Sequence, residues 1–235
     1  MTLENRLRLW PPAGLRVRAA DLELRYLDDE LLLDLAALAS RGVHPPEAMP
    51  FMVPWTRGTP AEVARSVLRY QWQARASMTP EAWGLELAVL HRGAPVGIQA
   101  VGGKNVPTTR VVGTGSWLGR EHQGQGIGTR MRALVLHLAF EGLGAQVART
   151  EAWADNAASN AVSRRLGYRE NGCSREVREG VAVEHRAYRL DRQDWEAHRG
   201  AHPELHPREV AYEGLDAVRE FLHLTAPGGG PAAST

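Results

Sequence analysis

The segment from residue 116 to residue 143 constrains the fold of this chain more than any other stretch. Gly124, Gly126 and Gly128 stand at alternate positions within it. The backbone there can adopt conformations closed to residues with a Cβ atom and can approach a ligand closely. Apolar residues then recur at helical spacing, which places the glycine-rich turn at the N-terminus of a helix. Because the free N–H groups and the dipole at such a terminus attract anions, we predict a phosphate-binding turn at these glycines.

Two familiar phosphate-binding motifs do not account for this turn. A Walker-type loop requires a Lys-Ser/Thr pair at the start of its helix, but Thr129 and Arg130 follow Gly128. A dinucleotide-binding fingerprint would place a third glycine at position 129 and would follow the first strand of the chain. The segment instead contains the spacing Gln-x-x-Gly-x-Gly, which Gln123, Gly126 and Gly128 form. A glycine-rich turn without a ligand remains the alternative.

The composition limits the classes of protein to which this chain can belong. The chain has 235 residues and is 43% hydrophobic, which suits one domain with an extension. Its 28 basic and 27 acidic residues are interspersed and give a net charge of +1, so we expect neither a nucleic acid nor a membrane as partner. The single cysteine, Cys173, excludes an internal disulfide. Because the sequence shows no signal-like or membrane-spanning apolar run, we expect a cytoplasmic protein.

The order of the predicted elements indicates an α+β domain with one mixed sheet. Apolar and polar residues alternate in short strands at 15–17 and 22–26, in a meander at 84–90, 95–101 and 110–118, and in later strands at 146–154, 168–174 and 181–190. Helical spacing and capping residues predict helices at 30–39, from 59 toward 78, after the glycine-rich turn, and at 157–166. Gly102 and Gly103 are expected in the loop between the second and third meander strands.

The C-terminal part of the chain is predicted to extend this domain. We expect the main domain at 1–199, a strand and helix extension at 200–225 and a flexible tail at 226–235. Residues 210–212 are a candidate edge strand. The apolar residues from Leu215 onward form a short amphipathic helix that could dock on the core or, in a homodimer, on a second subunit.

Two further segments carry chemistry-bearing residues without a diagnostic pattern. His198, His202 and His206 stand four apart, but Pro203 and Pro207 break a shared helix and no carboxylate completes the set, so we predict no metal site. Residues 44–55 contain four prolines and cannot form a regular element. That segment is either a packed surface loop or one wall of a pocket, the wall residues being Met49, Phe51, Met52 and Trp55.

Two motifs together resemble one protein family. The Gln-x-x-Gly-x-Gly spacing resembles the coenzyme A pyrophosphate motif of the GNAT acyltransferases. The segment from Asp155 to Tyr168 contains Asn-x-x-Ser followed by Leu-Gly-Tyr, which resembles the signature of the RimJ/RimL branch, the branch that includes ribosomal-protein-alanine N-acetyltransferases. The resemblance spans about residues 15–195. The segments around Phe51 and Trp117 resemble an actinobacterial subgroup within which succinyl-CoA is one donor.

The resemblance implies the GNAT fold, with helices on both faces of a mixed, mostly antiparallel sheet that splays apart at the acyl-CoA site. Trp117 and Leu118 are implied to offer backbone groups to the pantetheine arm of the donor. The pyrophosphate is implied to lie on the turn that comprises Gln123, Gly124, Gln125, Gly126, Ile127, Gly128 and Thr129. Contacts from the other side of the splay are implied for Asn156, Asn160 and Arg164, with helix capping as the alternative role of Asn156.

Acyl transfer from a thioester to an amine needs a deprotonated amine, a donor for the developing oxyanion and a proton for the leaving thiolate. Many GNAT members carry a tyrosine seven residues after the asparagine as the acid, but that position is Ser163 here. Ser159 of the Asn-x-x-Ser motif is therefore the candidate acid, with capping or packing as its alternative role.

Three carboxylates are candidate bases, and a water relay without a single base is equally allowed. They are Glu151, Glu184 and Glu86, each of which is otherwise an exposed strand carboxylate. A covalent mechanism would use Cys173 with a neighbouring base such as His185.

These motifs predict an N-acyltransferase that moves an acetyl or succinyl group from acetyl-CoA or succinyl-CoA to a primary amine without a metal. The acceptor is a protein or peptide α-amine, an aminoglycoside-like sugar or another small molecule. The loop at 44–55, the region of Lys104 and the C-terminal extension are expected to select it. The alternatives are a non-catalytic acyl-CoA-binding sensor or interaction module, and a nucleotide-phosphate binder that prefers ATP or NAD to CoA.

Overall fold

The computed structural model describes residues 3–224, and within that range the chain forms nine strands and eight α-helices. The strands are β1 (Arg16–Ala19), β2 (Leu22–Tyr26), β3 (Ala82–His91), β4 (Ala94–Lys104), β5 (Val111–Leu118), β6 (Val147–Trp153), β7 (Arg169–Arg178), β8 (Val181–Asp191) and β9 (Ala211–Glu213). The helices are α1 (Leu3–Leu9), α2 (Asp29–Ser40), α3 (Pro60–Ala76), α4 (Val106–Thr109), α5 (Ile127–His137), α6 (Ala157–Arg165), α7 (Arg192–Ala201) and α8 (Leu215–Phe221).

All nine strands belong to one sheet in the order β7-β8-β6-β5-β4-β3-β2-β1-β9. Each neighbouring pair is antiparallel except β5 and β6, which run parallel. Arg92 and Gly93 join β3 to β4 with φ values of 52° and 83°, the backbone conformation that a two-residue hairpin turn requires. The predicted α+β fold with one mixed, mostly antiparallel sheet is confirmed.

Side-chain caps determine where α2 and α3 begin. Asp28 accepts a hydrogen bond from the Leu31 amide at 2.8 Å and caps α2. Thr59 forms a capping box at the start of α3 with Glu62, whose carboxylate accepts from the Thr59 amide at 2.7 Å. Such caps satisfy amides that have no partner within the helix, and each contributes about 1 kcal/mol.

Helices cover both faces of the sheet. On one face, α2 packs against apolar residues of β3 and β4 that include Ala88, Leu90 and Ile98. On the opposite face, α5 places Met131 and Leu134 in the main core, together with apolar residues of β1 to β5. Fully burying one such leucine or methionine stabilises the fold by roughly 1.5–3 kcal/mol. The two-sided packing holds the start of α5 at the end of β5.

The two parallel strands separate after a short paired segment. β5 pairs with β6 only from Val111 with Val147 to Gly113 with Arg149, although the strands continue to Leu118 and Trp153. Beyond the paired segment the facing edges of the two strands have no ladder partner within residues 3–224. The splay implied by the sequence resemblance is therefore present.

Several elements differ from the sequence predictions. Gly102 and Gly103 lie inside β4 and not in a loop. Glycine is required there, because a Cβ atom would lie 2.3 Å from a neighbouring backbone oxygen at position 102 and 2.7 Å from one at position 103. The short α4 occupies the second half of the predicted loop, and α1 was not predicted. α7 runs through Ala201 and so crosses the predicted boundary at 199/200, which remains a prediction.

The C-terminal extension packs on the core of its own chain. β9 pairs with β1, and α8 buries Leu215 and Val218. The predicted edge strand and helix are present, whereas the homodimer stays a prediction. The predicted tail at 226–235 lies outside the described residues. Within residues 3–224 no helix is long and apolar enough to cross a membrane, and no group of three or more His, Cys, Asp or Glu side chains is arranged to hold a metal ion.

Candidate active site

The splay between β5 and β6 opens into a cleft of about 1640 Å³. One part of the cleft reaches the start of α5, and the other opens across β3 and β4 toward α3 and the loop at 44–55. Ligand pockets for small molecules occupy roughly 300–1,000 Å³, so this cleft has room for two ligands at once. Predicted site residues that line it are Glu86, Trp117, Leu118, Gln123, Gly128, Glu151, Asn156 and Ser159.

The glycine-rich turn has the geometry of an anion site. Gly124 and Gly126 take positive φ values of 73° and 76°, and a Cβ atom at either would meet nothing within 4 Å, so the space beside the turn is open. Gly126 is the N-cap of α5, no side chain caps that helix, and its first turn carries no acidic residue. The helix N-terminus therefore directs amides and a positive dipole toward open space. These residues fit a pyrophosphate.

The two glutamines of the turn shape its backbone. The Gln123 amide donates to the carbonyl oxygens of Val43 and Leu118 at 2.6 Å and 3.0 Å. The Gln125 amide donates to the carbonyl oxygen of Glu121 at 2.9 Å. Gln123 therefore ties the turn both to the end of β5 and to the segment after α2.

The end of β5 presents an unpaired edge to the cleft. Trp117 and Leu118 pair with Ile98 and Gly97 of β4 on one side, and no strand pairs with them on the side of β6 within residues 3–224. Gly97 is needed at this point, because a Cβ atom there would lie 2.2 Å from the Trp117 carbonyl oxygen. A free strand edge can hydrogen-bond the amides of an extended ligand.

A buried arginine bridges the two strands where they separate. Arg132 of α5 is 4% exposed and donates to Ser116 Oγ of β5 at 3.3 Å and to Thr150 Oγ1 of β6 at 3.2 Å. Within residues 3–224 no carboxylate lies within 4 Å of the guanidinium, and its Nε–H has no partner. Burial lowers the pKa of Arg132, and contact with the Tyr168 hydroxyl partly offsets this effect. Arg132 was not predicted as a site residue, because a charged residue in an amphipathic helix usually faces solvent.

Helix α6 borders the cleft on the β6 side. Asn156 caps it by accepting from the Ser159 amide at 3.1 Å, so its predicted alternative role is present. Asn160 is 2% exposed, and its amide donates to the Trp153 and Ala154 carbonyl oxygens at 2.9 Å and 3.1 Å. Arg164 is half-exposed and pairs with Glu170 at 2.8 Å. Of this group, Asn156 and Ser159 line the cleft.

The hydroxyls of this helix differ in availability. Ser163, at the position of the tyrosine in many GNAT members, is fully buried and donates to the Ser159 carbonyl oxygen at 3.1 Å. The Ser159 hydroxyl has no hydrogen-bond partner within residues 3–224. Ser159 is therefore free to contact a ligand, whereas Ser163 is not.

The three candidate bases have different surroundings. Glu86 of β3 accepts from the Tyr70 hydroxyl at 3.1 Å and from the Gln71 amide at 3.4 Å, and burial raises the pKa of Glu86 despite those hydrogen bonds. The side chain of Glu151 is 63% exposed, with its Oε2 3.9 Å from His185 Nδ1. Glu184 pairs with Arg186 at 2.9 Å and does not line the cleft.

The register of the last hairpin separates Cys173 from His185. Cys173 pairs with Arg186, whereas His185 pairs with Ser174. Because neighbouring residues of a strand point to opposite faces, Cys173 and His185 project from opposite faces of the sheet. The proposed Cys-His pair for a covalent mechanism is therefore not formed.

The proline-rich loop forms one wall of the cleft, which is the second of its two predicted roles. Of the predicted wall residues, Met49, Phe51 and Met52 line the cleft and Trp55 does not. Four rings form a row in which each contacts the next, with ring centroids 4.9–5.8 Å apart: His44, Phe51, Trp55 and Trp117. The tip of the β7–β8 hairpin reaches this loop through an ion pair of Arg57 with Glu179 at 2.7 Å. The loop and the hairpin therefore meet across one end of the cleft.

Comparison with known proteins agrees with this geometry. Residues 21–169 match the family model of the acetyltransferase (GNAT) domain. A GCN5-related N-acetyltransferase from Brucella melitensis shares the fold, with 22% identity, a TM-score of 0.64 and coverage of 82% of this chain and 86% of that one. Mycobacterium smegmatis RimJ in complex with CoA-disulfide matches with 21% identity, a TM-score of 0.59 and coverage of 83% and 96%.

The acetyltransferase from Salmonella typhimurium that modifies the N-terminal serine of ribosomal protein L7/L12 matches with 22% identity, a TM-score of 0.57 and coverage of 74% of this chain and 96% of that one. The family match extends over more than half of the chain and includes the glycine-rich turn, both splayed strands and α6. The chain therefore belongs to the GNAT acetyltransferase family and is an N-acetyltransferase enzyme, as its motifs predict.

Proposed function

We propose that the protein transfers an acetyl group from acetyl-CoA to a primary amine by direct attack within a ternary complex. The observation that carries this proposal is the unpaired edge of β5, which ends directly at the anion-binding turn of α5. The turn fits the pyrophosphate of CoA, and the edge at Trp117 and Leu118 fits the two amides of the pantetheine arm. Asn156 borders the same part of the cleft from α6.

The acceptor is proposed to enter from the face of the sheet that carries α2 and α3. Glu86, Ala100 and Gly115 lie in one row across β3, β4 and β5, and Gly84, Gly102 and Gly113 form the next row. Small residues on three adjacent strands leave a shallow floor on which an acceptor can approach the sheet closely. All six residues line the cleft.

Glu86 is the candidate base that this arrangement favours. It borders the floor, its carboxylate is oriented by Tyr70 and Gln71, and its raised pKa makes it a better proton acceptor than an exposed glutamate. Glu151 is the second candidate, since it lines the opposite side of the cleft.

The reaction forms a C–N bond and breaks a C–S bond. The amine lone pair attacks the thioester carbonyl carbon, the carbonyl electron pair moves to oxygen, and its return expels the CoA thiolate. One proton leaves the amine nitrogen, to Glu86 or water, and one proton is delivered to the sulfur, so the products are an amide and CoA. No covalent enzyme intermediate is required.

Succinyl-CoA is a second donor that the cleft can be tested for. Its terminal carboxylate requires a cation, but Arg132 is 4% exposed and Arg178 already pairs with Asp155. Binding of a succinyl group would thus depend on another basic side chain of the cleft lining, such as Arg149 or Lys104. We therefore favour acetyl-CoA as the donor.

A peptide or protein α-amine is the acceptor class that we propose first. One structurally similar enzyme modifies the N-terminal serine of a ribosomal protein, and RimJ shares the fold. The RimJ/RimL motifs at Asn156 to Tyr168 support the same assignment. Small-molecule amines form the second acceptor class.

The proposal is tested by measuring release of free CoA when acetyl-CoA is mixed with the protein and one of three amines: a peptide with N-terminal serine or alanine, a lysine-containing peptide with a blocked N-terminus, or an aminoglycoside. Calorimetry with CoA, ATP and NAD is performed in parallel. We expect CoA to bind most tightly and the free α-amine to be acetylated. CoA binding without turnover on any amine would instead support the non-catalytic module, and preferential binding of ATP or NAD would contradict the donor site.

A further inference from the structure

The mechanism lacks an obvious source of positive charge or acidity at the thioester. The usual tyrosine is replaced by Ser163, which is buried and donates elsewhere. A serine hydroxyl such as Ser159 has a high pKa, and within residues 3–224 no cation donates to it. Some other group must therefore offset the negative charge that develops when the C–S bond breaks.

Arg132 and Ser116 supply that group at the point where β5 and β6 separate. Ser116 stands next to Trp117, lines the cleft and accepts from the Arg132 guanidinium at 3.3 Å. Its own O–H has no acceptor within residues 3–224, so its proton is free to be donated into the cleft. Thr150 differs, because its hydroxyl accepts from Arg132 but donates to the Thr114 carbonyl oxygen at 3.0 Å. Of the two strand hydroxyls to which Arg132 donates at the splay, Ser116 alone retains a free O–H donor.

The burial of Arg132 argues for a role through Ser116 rather than through direct contact with the acyl group. The side chain is 4% exposed, so a ligand carboxylate has little access to the guanidinium. A charge held in such a dry site nevertheless acts strongly on nearby groups, because the effective dielectric constant is low. A buried arginine without a carboxylate partner is costly to maintain, which favours a functional reason for its presence.

We propose that Ser116, polarised by Arg132, is the catalytic donor that stabilises the charge developing on the thioester oxygen and sulfur, and that Arg132 is its positioning residue. This inference rests on the proposed function, since it needs a thioester beside Trp117. The guanidinium donates to Ser116 Oγ, and the Ser116 O–H donates a hydrogen bond to the oxyanion and then to the departing thiolate. The sulfur takes its proton through this hydroxyl, and the proton that the amine gives up returns to the Ser116 oxygen through water, so the enzyme is unchanged after each turnover.

The first test needs no amine acceptor. The thiol pKa of CoA is measured in the bound state from its ultraviolet thiolate absorbance, with the free protein subtracted to remove the contribution of Cys173. In the native protein we expect the thiol pKa to fall by about one unit, a tenfold change, relative to free CoA. Ser116→Ala and Arg132→Met should each abolish this shift. An unchanged thiol pKa in the native protein, or an equal shift in both variants, would overturn the inference.

The second test uses acetyl-CoA with the N-terminal serine peptide. We expect Ser116→Ala and Arg132→Met each to lower kcat by about 10- to 100-fold while the KM for acetyl-CoA stays within about threefold. Because the two residues act as one unit, the double variant should lose no more than the worse single variant. Arg132→Lys should restore part of kcat, which a purely structural role would not predict. If the fold-losses in kcat of the two single variants multiply in the double variant, Ser116 and Arg132 act independently, which would contradict the proposed coupling between them.

Two control variants show whether a loss of kcat is specific to Ser116. Ser40→Ala removes a hydroxyl that donates to the Ala37 carbonyl oxygen at the end of α2 and should retain native kcat. Ser159→Ala removes the competing hydroxyl, and a large loss there together with full activity of Ser116→Ala would assign the role to Ser159 instead. Should Arg132→Met fail to fold, Ser116→Ala and Arg132→Lys decide the question. If the native protein does not bind CoA, the proposed function as a whole is contradicted. If the native protein turns over and Ser116→Ala is equally active, only the role of Ser116 is contradicted.

Discussion

The Arg178 guanidinium forms a two-point ion pair with Asp155, with Nη1 to Oδ1 at 2.8 Å and Nη2 to Oδ2 at 2.6 Å. Arg178 also stacks over the Trp153 ring at 5.1 Å and donates to the Met49 carbonyl oxygen at 3.5 Å. This one side chain therefore joins the β7–β8 hairpin to the end of β6, to the segment that leads into α6 and to the proline-rich loop.

Disruption of this ion pair should loosen one end of the cleft. We expect Arg178→Ala to raise the KM for substrates by up to about tenfold, because the loop and α6 lose a shared anchor. Arg186→Ala is the matched control, since Arg186 pairs with exposed Glu184 away from the cleft. Steady-state kinetics check the prediction, and equal effects of both substitutions would contradict it.

Gly126→Ala should weaken CoA binding more than it weakens the fold. A non-glycine residue at a φ of 76° costs about 1 kcal/mol. The added Cβ atom would also occupy the open space in which the pyrophosphate is expected. Gly93→Ala is matched to it, because Gly93 has a φ of 83° and the same open surroundings but lies in the β3–β4 hairpin and caps no helix.

Thermal unfolding and calorimetry with CoA separate these two effects. Both variants should lose similar stability, but only Gly126→Ala should lose affinity for CoA, by about tenfold or more. Equal CoA affinity in the two variants would argue against the anion-binding turn.

Glu86→Gln should stabilise the protein while reducing its activity. Burial raises the pKa of Glu86 above its usual value, so the folded state binds the Glu86 proton more readily than the unfolded state does. The stability contribution of Glu86 is therefore present below the unfolded pKa and is lost as pH rises through the folded value. At pH 8 the neutral glutamine avoids this loss, and the melting temperature should rise.

If Glu86 is the base, its replacement should lower kcat by about 10²-fold and remove the acidic limb of the pH–rate profile. Glu151→Gln provides the comparison within the same cleft. A larger loss in Glu151→Gln would transfer the role to that residue, and small losses in both would favour a water relay.

The protein should lose stability on mild acidification through two buried histidines. His137 is 5% exposed and packs 5.0 Å from the Trp195 ring, and His206 is 7% exposed with its Nε2 3.1 Å from His198 Nδ1. Burial lowers the pKa of both to about 4, and the charges of Arg199 and the neighbouring histidines add to this effect.

The folded-state pKa values lie below the unfolded value of 6.5, so above pH 6.5 the histidines are neutral in both states. Between pH 6.5 and pH 4 the unfolded state binds protons that the folded state does not, and the free energy of unfolding therefore falls as the pH is lowered. The loss amounts to at most about 3 kcal/mol per histidine. Urea unfolding as a function of pH measures it. His206→Asn should flatten the dependence, and an unchanged slope would contradict the assignment.

The sequence predicted the elements that depend on local rules. The glycine-rich turn, the helix predicted from residue 59 and the strands of the meander follow from glycine conformations, capping residues and apolar alternation that are readable locally. Gly102 and Gly103 were misassigned to a loop, because an adjacent pair of glycines signals a turn just as well as it signals a strand that neighbouring backbone approaches closely.

The parts of the site that depend on tertiary packing could not be predicted. Arg132 interrupts an apolar helix face, and only the separation of β5 from β6 places its guanidinium between Ser116 and Thr150. His137 and His206 are 69 positions apart in the chain and meet only through the packing of the C-terminal extension. Long-range proximity of this kind leaves no local signal in the sequence.

The short strand β9 has a consequence for the behaviour of the molecule in concentrated solution. It is three residues long and occupies the outer side of β1. A chain shortened before Ala211 would expose a row of unpaired N–H and C=O groups along β1, which is a template onto which a neighbouring molecule can add its own strand. The C-terminal segment thereby covers this edge of β1 with a strand of the same chain.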